Sequence, residues 1–498
     1  MMLWQSVPFA CILLALGSAA VTGVLRGRAA RCWTLAVLGV ETAASAVLAA
    51  LVARSGTYYT YMMGHFPAPW GNELRVGLTE ALLGCGFSLV MLLSLAGGLR
   101  DLEEDVSSCR HSLYYVMILL LQASLQAQIY TNDIFTGYVF AEIMTIAAAA
   151  SIAVSDRGRN LLAATRYMIM NLIGSALFLL GVILLYDLTG HLLMSPLRNA
   201  VSALYAGGEY RIPMTVVPAL IFVGLGVKSA LFPFHTWVPN AYGCSTPASA
   251  AILSSLVSKG YIVLLIKIAV RVLGTDVIRG TGADDVIFGF GVAGMVMGSV
   301  LAIRQTDVRR MTAYSSVAQI GYIYMGMGLN TEAGITAALF HILAHAACKG
   351  MLFIALGTLA DVSGGSSRFD DLKGAGKRAP LAGAAFTVGA LSMTGFPFLG
   401  GFPSKMNFVL AGLDYGGTHL WIVLAAVVVS TALNAVYFLR TVIALYGKPA
   451  EGGSLAVSEK NGFARAASLS CFMALNIGLG LAFHPVMEWL RQGLATLG

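Results

Sequence analysis

The chain has 498 residues, 57% of them apolar and only 11% charged, with a net charge of +7. A water-soluble domain carries about 25% charged residues, so a chain this long and this poor in charge cannot solvate its own surface and must face lipid over most of it. The positive balance is spread over many short segments, which argues against a nucleic-acid binder and fits orientation in a membrane.

Met1 to Ala20 contains no Lys or Arg, so the N-terminus reads as a first membrane helix and not as a cleaved signal. Apolar windows of about twenty residues predict helices near 3–24, 33–53, 76–98, 112–130, 133–154, 164–186, 214–232, 246–270, 284–303, 311–329, 332–357, 379–408, 418–439 and 466–488. The longest polar segments, 54–75, 187–213 and 441–464, are too short to fold alone.

With the N-terminus outside, the inward segments carry 19 of the 31 basic residues and the outward ones 7. Lys460, in the segment 441–464, is among the inward group. This bias predicts that both termini face outside, in a multi-pass protein of the cell membrane.

Cys11, Cys32, Cys85, Cys109, Cys244, Cys348 and Cys471 are scattered singly. That argues against iron–sulfur and zinc sites and against a disulfide framework. No Gly-rich dinucleotide loop follows a strand. No catalytic residue, cofactor or metal site is expected in this chain.

The remaining five basic residues, Lys228, Lys259, Lys267, Lys349 and Lys405, lie inside apolar windows, and so does Glu142. A charge at mid-bilayer costs about 3 kcal/mol on insertion scales, so each needs a partner or water. His341, His345 and Lys349 step by four residues and share one helix face. A stripe of such titratable groups can pass a proton, because histidine titrates near neutral pH and desolvation brings lysine toward that range. Lys267 sits near a helix end beside Arg271, where long cations usually snorkel. Glu41, Glu80 and Asp133 lie in or near helix starts, and Glu41 and Glu80 read equally as groups that simply pair with nearby polar residues. His235, just past a proline, reads equally as a helix cap or a proton exit group.

Two windows are interrupted alike. Leu225 to Pro239 and Leu391 to Pro403 both contain Phe-Pro-Phe, with a second proline five to six residues later. Pro233 and Pro239 break the first helix and Pro397 and Pro403 the second, because proline removes a backbone hydrogen bond. In lipid such backbone survives only where protein or water satisfies it. Lys228 lies before the first break and Lys405 after the second. Matching broken helices in two halves of a chain mark a repeat-built transporter and point at its path.

These residues resemble a known family. The run Lys228-Ser-Ala-Leu-Phe-Pro-Phe-His-Thr-Trp-Val-Pro-Asn-Ala-Tyr242 is similar to the hallmark of the antiporter-like subunits of respiratory complex I, Mrp-type sodium/proton antiporters and membrane-bound hydrogenases. Thr131 to Glu142 resembles the family's helix-5 glutamate motif, Arg309 to Tyr322 its helix-10 motif, and His341 to Gly350 its His/Lys helix. The resemblance covers about 110 to 440. Departures occur at Asn240-Ala-Tyr242, where the family often has Asp-Ala-His, and at Ser245-Thr246 before Pro247, where it has Ala-Pro. Tyr242 thus stands where the family carries that histidine.

The resemblance implies an all-α polytopic membrane protein of about 14 transmembrane helices, with two inverted five-helix repeats and discontinuous helices 7 and 12. Residues 1–110 would hold helices 1–3, 111–270 and 284–440 the repeats, and 441–498 a loop and helix 14. No lateral helix follows the last span, and the run Phe66 to Arg75 resembles the Mrp and hydrogenase branch, so the shorter type is expected. It implies that Glu142 pairs with Lys228, that Lys259, His341, His345 and Lys349 carry protons along a hydrated axis, and that Lys405 is the terminal gate. Proton translocation, with sodium coupling as an open possibility, would occur in a complex with other membrane subunits. Iron–sulfur or hydrogenase-type subunits are candidate partners. Asp133 and Thr136 are the candidate sodium ligands. A self-sufficient antiporter and a scaffold subunit without an ion path are the alternatives.

Overall fold

Lipid offers backbone amides no partners, so the apolar windows satisfy their own hydrogen bonds as helices. The computed structural model describes residues 3–66, 71–208, 210–448 and 462–496. Lys460 and residues 67–70 of the run Phe66 to Arg75 lie outside them.

The N-terminal group is α1 (Val7–Val24), α2 (Arg28–Ser55) and α3 (Leu78–Gly97). Between the last two, β1 (Tyr59–Met62) and β2 (Glu73–Val76) form an antiparallel hairpin that pairs Tyr59 with Val76 and Met62 with Glu73. Then come the short α4 (Leu99–Asp105), α5 (His111–Tyr130), α6 (Ile134–Ala153) and α7 (Gly158–Thr189). The segment 187–213, expected only as polar, contains α8 (Met194–Gly207), which buries Met194, Leu197 and Val201 on one face. α9 (Arg211–Ser229) breaks, and the chain restarts in α10 (Val238–Cys244). α11 (Pro247–Ile252), a π segment (Leu253–Val257), α12 (Ser258–Ile268) and a second π segment (Ala269–Leu273) run end to end. Gly274, at φ 76°, turns the chain into α13 (Gly274–Gly280).

The second half holds α14 (Ala283–Ile303), α15 (Val308–Gly328), α16 (Glu332–Asp361), the short α17 (Ala375–Arg378) and α18 (Pro380–Thr394). After a second break come α19 (Gly401–Tyr415) and α20 (Gly417–Tyr446), then α21 (Phe463–Leu481) and α22 (Phe483–Ala495). All fourteen predicted windows are helical. Among the described residues eleven helices are long and apolar enough to cross a membrane. The other three windows are the π-interrupted helix 247–273, α15 and the broken pair α18/α19. α15 carries Arg309, Arg310, Thr312, Ser315, Ser316 and Gln319. Arg310 is exposed at the start of the helix, whereas Thr312, Ser315, Ser316 and Gln319 are buried by other protein and do not face lipid.

α16 is the hub. It packs against α3, α11, α15, α18, α19, α21 and α22, and every residue from Gly334 to Ala360 is buried. Helices α1, α2, α7 and α20 form the rim and expose Val40, Val47, Ile169, Ile183, Val428 and Ile443 outward.

One buried charge cluster ties the ends of three of these helices. Arg465 of α21 lies 2.5 Å from Asp101 of α4 and 3.0 Å from Asp361 at the end of α16. Removing one partner of a buried pair leaves the other uncompensated, at a cost of roughly 3–5 kcal/mol. Arg465→Ala is therefore expected to lower the thermal unfolding midpoint of the detergent-solubilised protein clearly; an unchanged midpoint would show that the cluster holds nothing.

A buried lysine, histidine and glutamate axis as candidate functional site

The first break sets the first part of the site. α9 ends at Ser229 because Ala230 adopts a left-handed conformation, φ 68°. Lys228, in its last turn, has no exposure. Its Nζ lies 2.9 Å from Glu142 Oε1 of α6 and donates to Thr145 Oγ1 at 2.8 Å. Ser175 of α7 also donates to Glu142 Oε1, at 2.6 Å. Glycine makes this geometry possible: a Cβ on Gly174 would meet the carbonyl of Gly224 at 2.7 Å and Lys228 Cγ at 3.1 Å. The two helices can touch there only with a bare backbone.

Thr145 continues the polar contacts. Its hydroxyl lies 2.9 Å from Tyr261 Oη of α12, and the Lys228 ammonium sits 5.1 Å from the centre of the Tyr261 ring. Lys259, on the same helix, is fully buried and donates to the carbonyl of Ser254. Ser254 lies in the π segment, where the shifted i→i+5 pattern loosens the usual pairing of backbone carbonyls. Ser254 Oγ reaches Ser316 Oγ of α15 at 2.9 Å.

On α16 the expected stripe forms. The rings of His341 and His345 stack with centroids 5.7 Å apart and 14° between planes. His341 Nδ1 meets Ser404 Oγ at 2.7 Å, next to Lys405 in sequence. His345 has no hydrogen-bond partner on either nitrogen among the described residues. Lys349 donates to the carbonyl of Thr312 at 2.8 Å and to Ser315 Oγ.

The second break resembles the first in form but not in how its lysine is held. α18 ends at Gly395, φ 84°, and the gap before α19 contains Phe398 at φ 70°. Lys405 belongs to the second half-helix and reaches back across the gap. It donates to the carbonyl of Met393 at 2.8 Å and to Thr431 Oγ1 of α20 at 3.1 Å. A Cβ on Gly395 would stand 3.2 Å from Lys405 Cδ, so the left-handed glycine also leaves room for the lysine stem.

The structure thus brings the buried Lys228, Lys259, His341, His345, Lys349 and Lys405 into one band between the two breaks, with the partly exposed Glu142 at its edge. The spatial order differs from the chain order: His341, through Ser404, is the member beside Lys405, and Lys349 branches toward α15.

Four expectations need correcting. Pro233 and Pro397 lie in the gaps, but Pro239 and Pro403 sit in the first turns of the restarted helices, where a missing N–H is tolerated. Lys267 does not snorkel: it is buried and donates to the carbonyls of Gln128, Ile129 and Thr131 at the end of α5. Asp133 is the N-cap of α6, accepting from the Thr136 amide at 2.6 Å, and Thr136 Oγ1 is taken by Asn72. His235 does not cap a helix through its side chain; it is buried, stacked on Phe232 at 5.3 Å and edge-on to Tyr314 at 6.2 Å.

Sequence reading missed the hydroxyls, Thr145, Ser175, Tyr261, Ser315, Ser404 and Thr431, and the buried Gln319, whose amide has no partner among the described residues. Ser and Thr are common in membrane helices, so composition alone does not single them out. No group of three or more His, Cys, Asp or Glu side chains among the described residues is placed to hold a metal ion.

Known proteins share this architecture. The family model described as NADH:quinone oxidoreductase/Mrp antiporter, TM, matches residues 131–433. NADH-quinone oxidoreductase subunit N of Desulforudis audaxviator (strain MP104C) is 36% identical over 418 residues, covering 83% of this chain and 80% of that protein. A Staphylococcus aureus (strain Newman) protein that carries the name antiporter subunit mnhD2 is 28% identical over 432 residues, 86% of this chain and 83% of its own. Among solved structures, a chain of the Mrp complex from Dietzia sp. DQ12-45-1b matches 100% of this chain and 98% of its own, with a TM-score of 0.85 and 25% identity. A chain of the membrane-bound sulfane sulfur reductase, an archaeal respiratory membrane complex, matches 99% and 98%, with a TM-score of 0.88 and 27% identity. The chain belongs to the family of NADH:quinone oxidoreductase/Mrp antiporter membrane subunits.

Proposed function

We propose that this chain translocates protons along the buried axis, as an antiporter-like subunit of a multisubunit membrane complex. The observation that carries this reading is the placement of protonatable groups between two broken helices, with Lys228, Lys349 and Lys405 held by oxygen ligands on neighbouring helices and Lys259 by a carbonyl of the π segment in its own helix. The relatives support the setting, since two of them are named as subunits and the solved neighbours as complexes.

The Glu142–Lys228 pair acts as a latch. While it is closed, the carboxylate and Thr145 hold the ammonium in place. When Glu142 moves away, the lysine is left buried without its counter-charge, and loss of an opposite charge in a low-dielectric site weakens proton binding. The proton then passes to Thr145 and Tyr261, by water to Lys259, and on to His345, His341 and Lys405. Water carries the steps that no direct hydrogen bond spans. Lys405 releases it where the second break opens the backbone. Iron–sulfur or hydrogenase-type subunits would make the complex redox-driven, whereas hydrophobic partners alone would make it driven by ion gradients.

Lys228→Ala in the assembled complex is expected to cut proton uptake into liposomes by at least roughly tenfold, about 1.4 kcal/mol in barrier height, with subunit composition unchanged. Thr145→Val, which keeps the shape and removes the bridging hydroxyl, is expected to slow uptake severalfold. Wild-type uptake by the lysine variant would sink the latch.

Purifying the tagged chain in mild detergent tests the setting. Co-purifying subunits with iron–sulfur EPR signals would mark a redox-driven pump, and iron-free hydrophobic partners an Mrp-type exchanger. A chain that purifies alone and still exchanges ions would overturn the multisubunit reading.

A further inference from the structure

The N-terminal helices hold a second set of buried polar groups that the axis does not use. Glu41, in the middle of α2, has no exposure. Neither of its carboxyl oxygens has a hydrogen-bond partner among the described residues, and no Lys or Arg there forms an ion pair with it. The groups facing it are Gln122 of α5 and Cys11 of α1. Gln122 donates to Ser88 Oγ of α3 at 2.9 Å, and Gln126, one turn further along α5, donates to the same oxygen at 2.6 Å. The oxygens Gln122 Oε1, Gln126 Oε1 and Tyr130 Oη are also buried without partners among the described residues.

These groups form a line. Gln122, Gln126 and Tyr130 step by four along one face of α5, about 6 Å per step. Gly84 of α3 keeps the line open, because a Cβ there would overlap Tyr130 Oη and stand 3.4 Å from Gln126 Oε1. Beyond Tyr130 lies the buried Glu80–Arg271 ion pair. Gln122, the amide beside the carboxyl, already donates one N–H to Ser88, and no described Lys or Arg pairs with Glu41. An ionised carboxylate there, without a cation, would carry a large desolvation cost. A protonated carboxyl avoids that cost and brings a donor toward the unpartnered Gln122 Oε1.

We propose that Glu41 is a protonated carboxylic acid, and that the seam Glu41–Gln122–Ser88–Gln126–Tyr130 is a hydrated branch that exchanges its proton toward the Glu80–Arg271 pair. It is a second proton-holding site, off the Lys/His axis and independent of the latch.

Infrared difference spectroscopy of the purified wild-type protein against Glu41→Gln tests this. The expected result is a protonated carboxyl C=O band at neutral pH that belongs to Glu41 and shifts within minutes of transfer to D2O. Gln122→Leu keeps Glu41 and is expected to move the band to higher frequency by removing the amide oxygen that the protonated carboxyl would donate to. Tyr130→Phe is expected to slow the exchange severalfold. No Glu41 band, or a band that does not exchange over hours, would overturn the proposal; exchange unaffected by Tyr130→Phe would overturn the route.

Discussion

A lysine ammonium with no access to bulk water must be held by fixed oxygen ligands or it must give up its proton, and Lys228 is placed between these outcomes. Its ligands come from Glu142 and Thr145 on one neighbouring helix, with Ser175 on another steadying the carboxylate. That arrangement needs α9 to stop where it does, α7 and α9 to touch at Gly174 and Gly224, and α6 to lie within reach of both. The break after Lys228 is therefore not a local defect. It ends one helix at its charged residue and frees the chain to start the next in a new direction.

The same constraint recurs in three other forms along the axis. Lys259 takes a carbonyl from a π segment, Lys349 a carbonyl and a hydroxyl from α15, and Lys405 the carbonyl at the end of the opposite half-helix. In each case irregular backbone or a polar neighbouring helix supplies what lipid cannot. The polar α15 and the wholly buried α16 follow from this, since both serve the interior and not the bilayer. The Arg465 cluster and the Glu80–Arg271 pair tie the outlying helices to this core.

Much of this was legible in the sequence because charge in an apolar window is rare enough to stand out. Glu142, the five lysines and the His341–His345–Lys349 stripe were visible on spacing alone, and the two Phe-Pro-Phe runs marked both breaks. What stayed hidden depends on contacts distant in sequence. Lys267 looked like a snorkelling residue because its partners, the carbonyls at the end of α5, lie some 136–139 positions away. Asp133 looked like an ion ligand until its place as a helix cap was seen. Pro239 and Pro403 share their residue type with the true break points, and only the backbone separates a gap from a first turn. The bridging hydroxyls carry no sequence signal apart from their neighbours.

The most direct measurement is proton movement across liposomes containing the assembled complex, compared between wild type and Lys259→Ala at matched protein incorporation. Lys259 lies between the two breaks, so a single buried axis predicts that its loss stops translocation while the Glu142–Lys228 latch stays intact. Translocation at the wild-type rate in that variant would contradict a path through the centre of the chain.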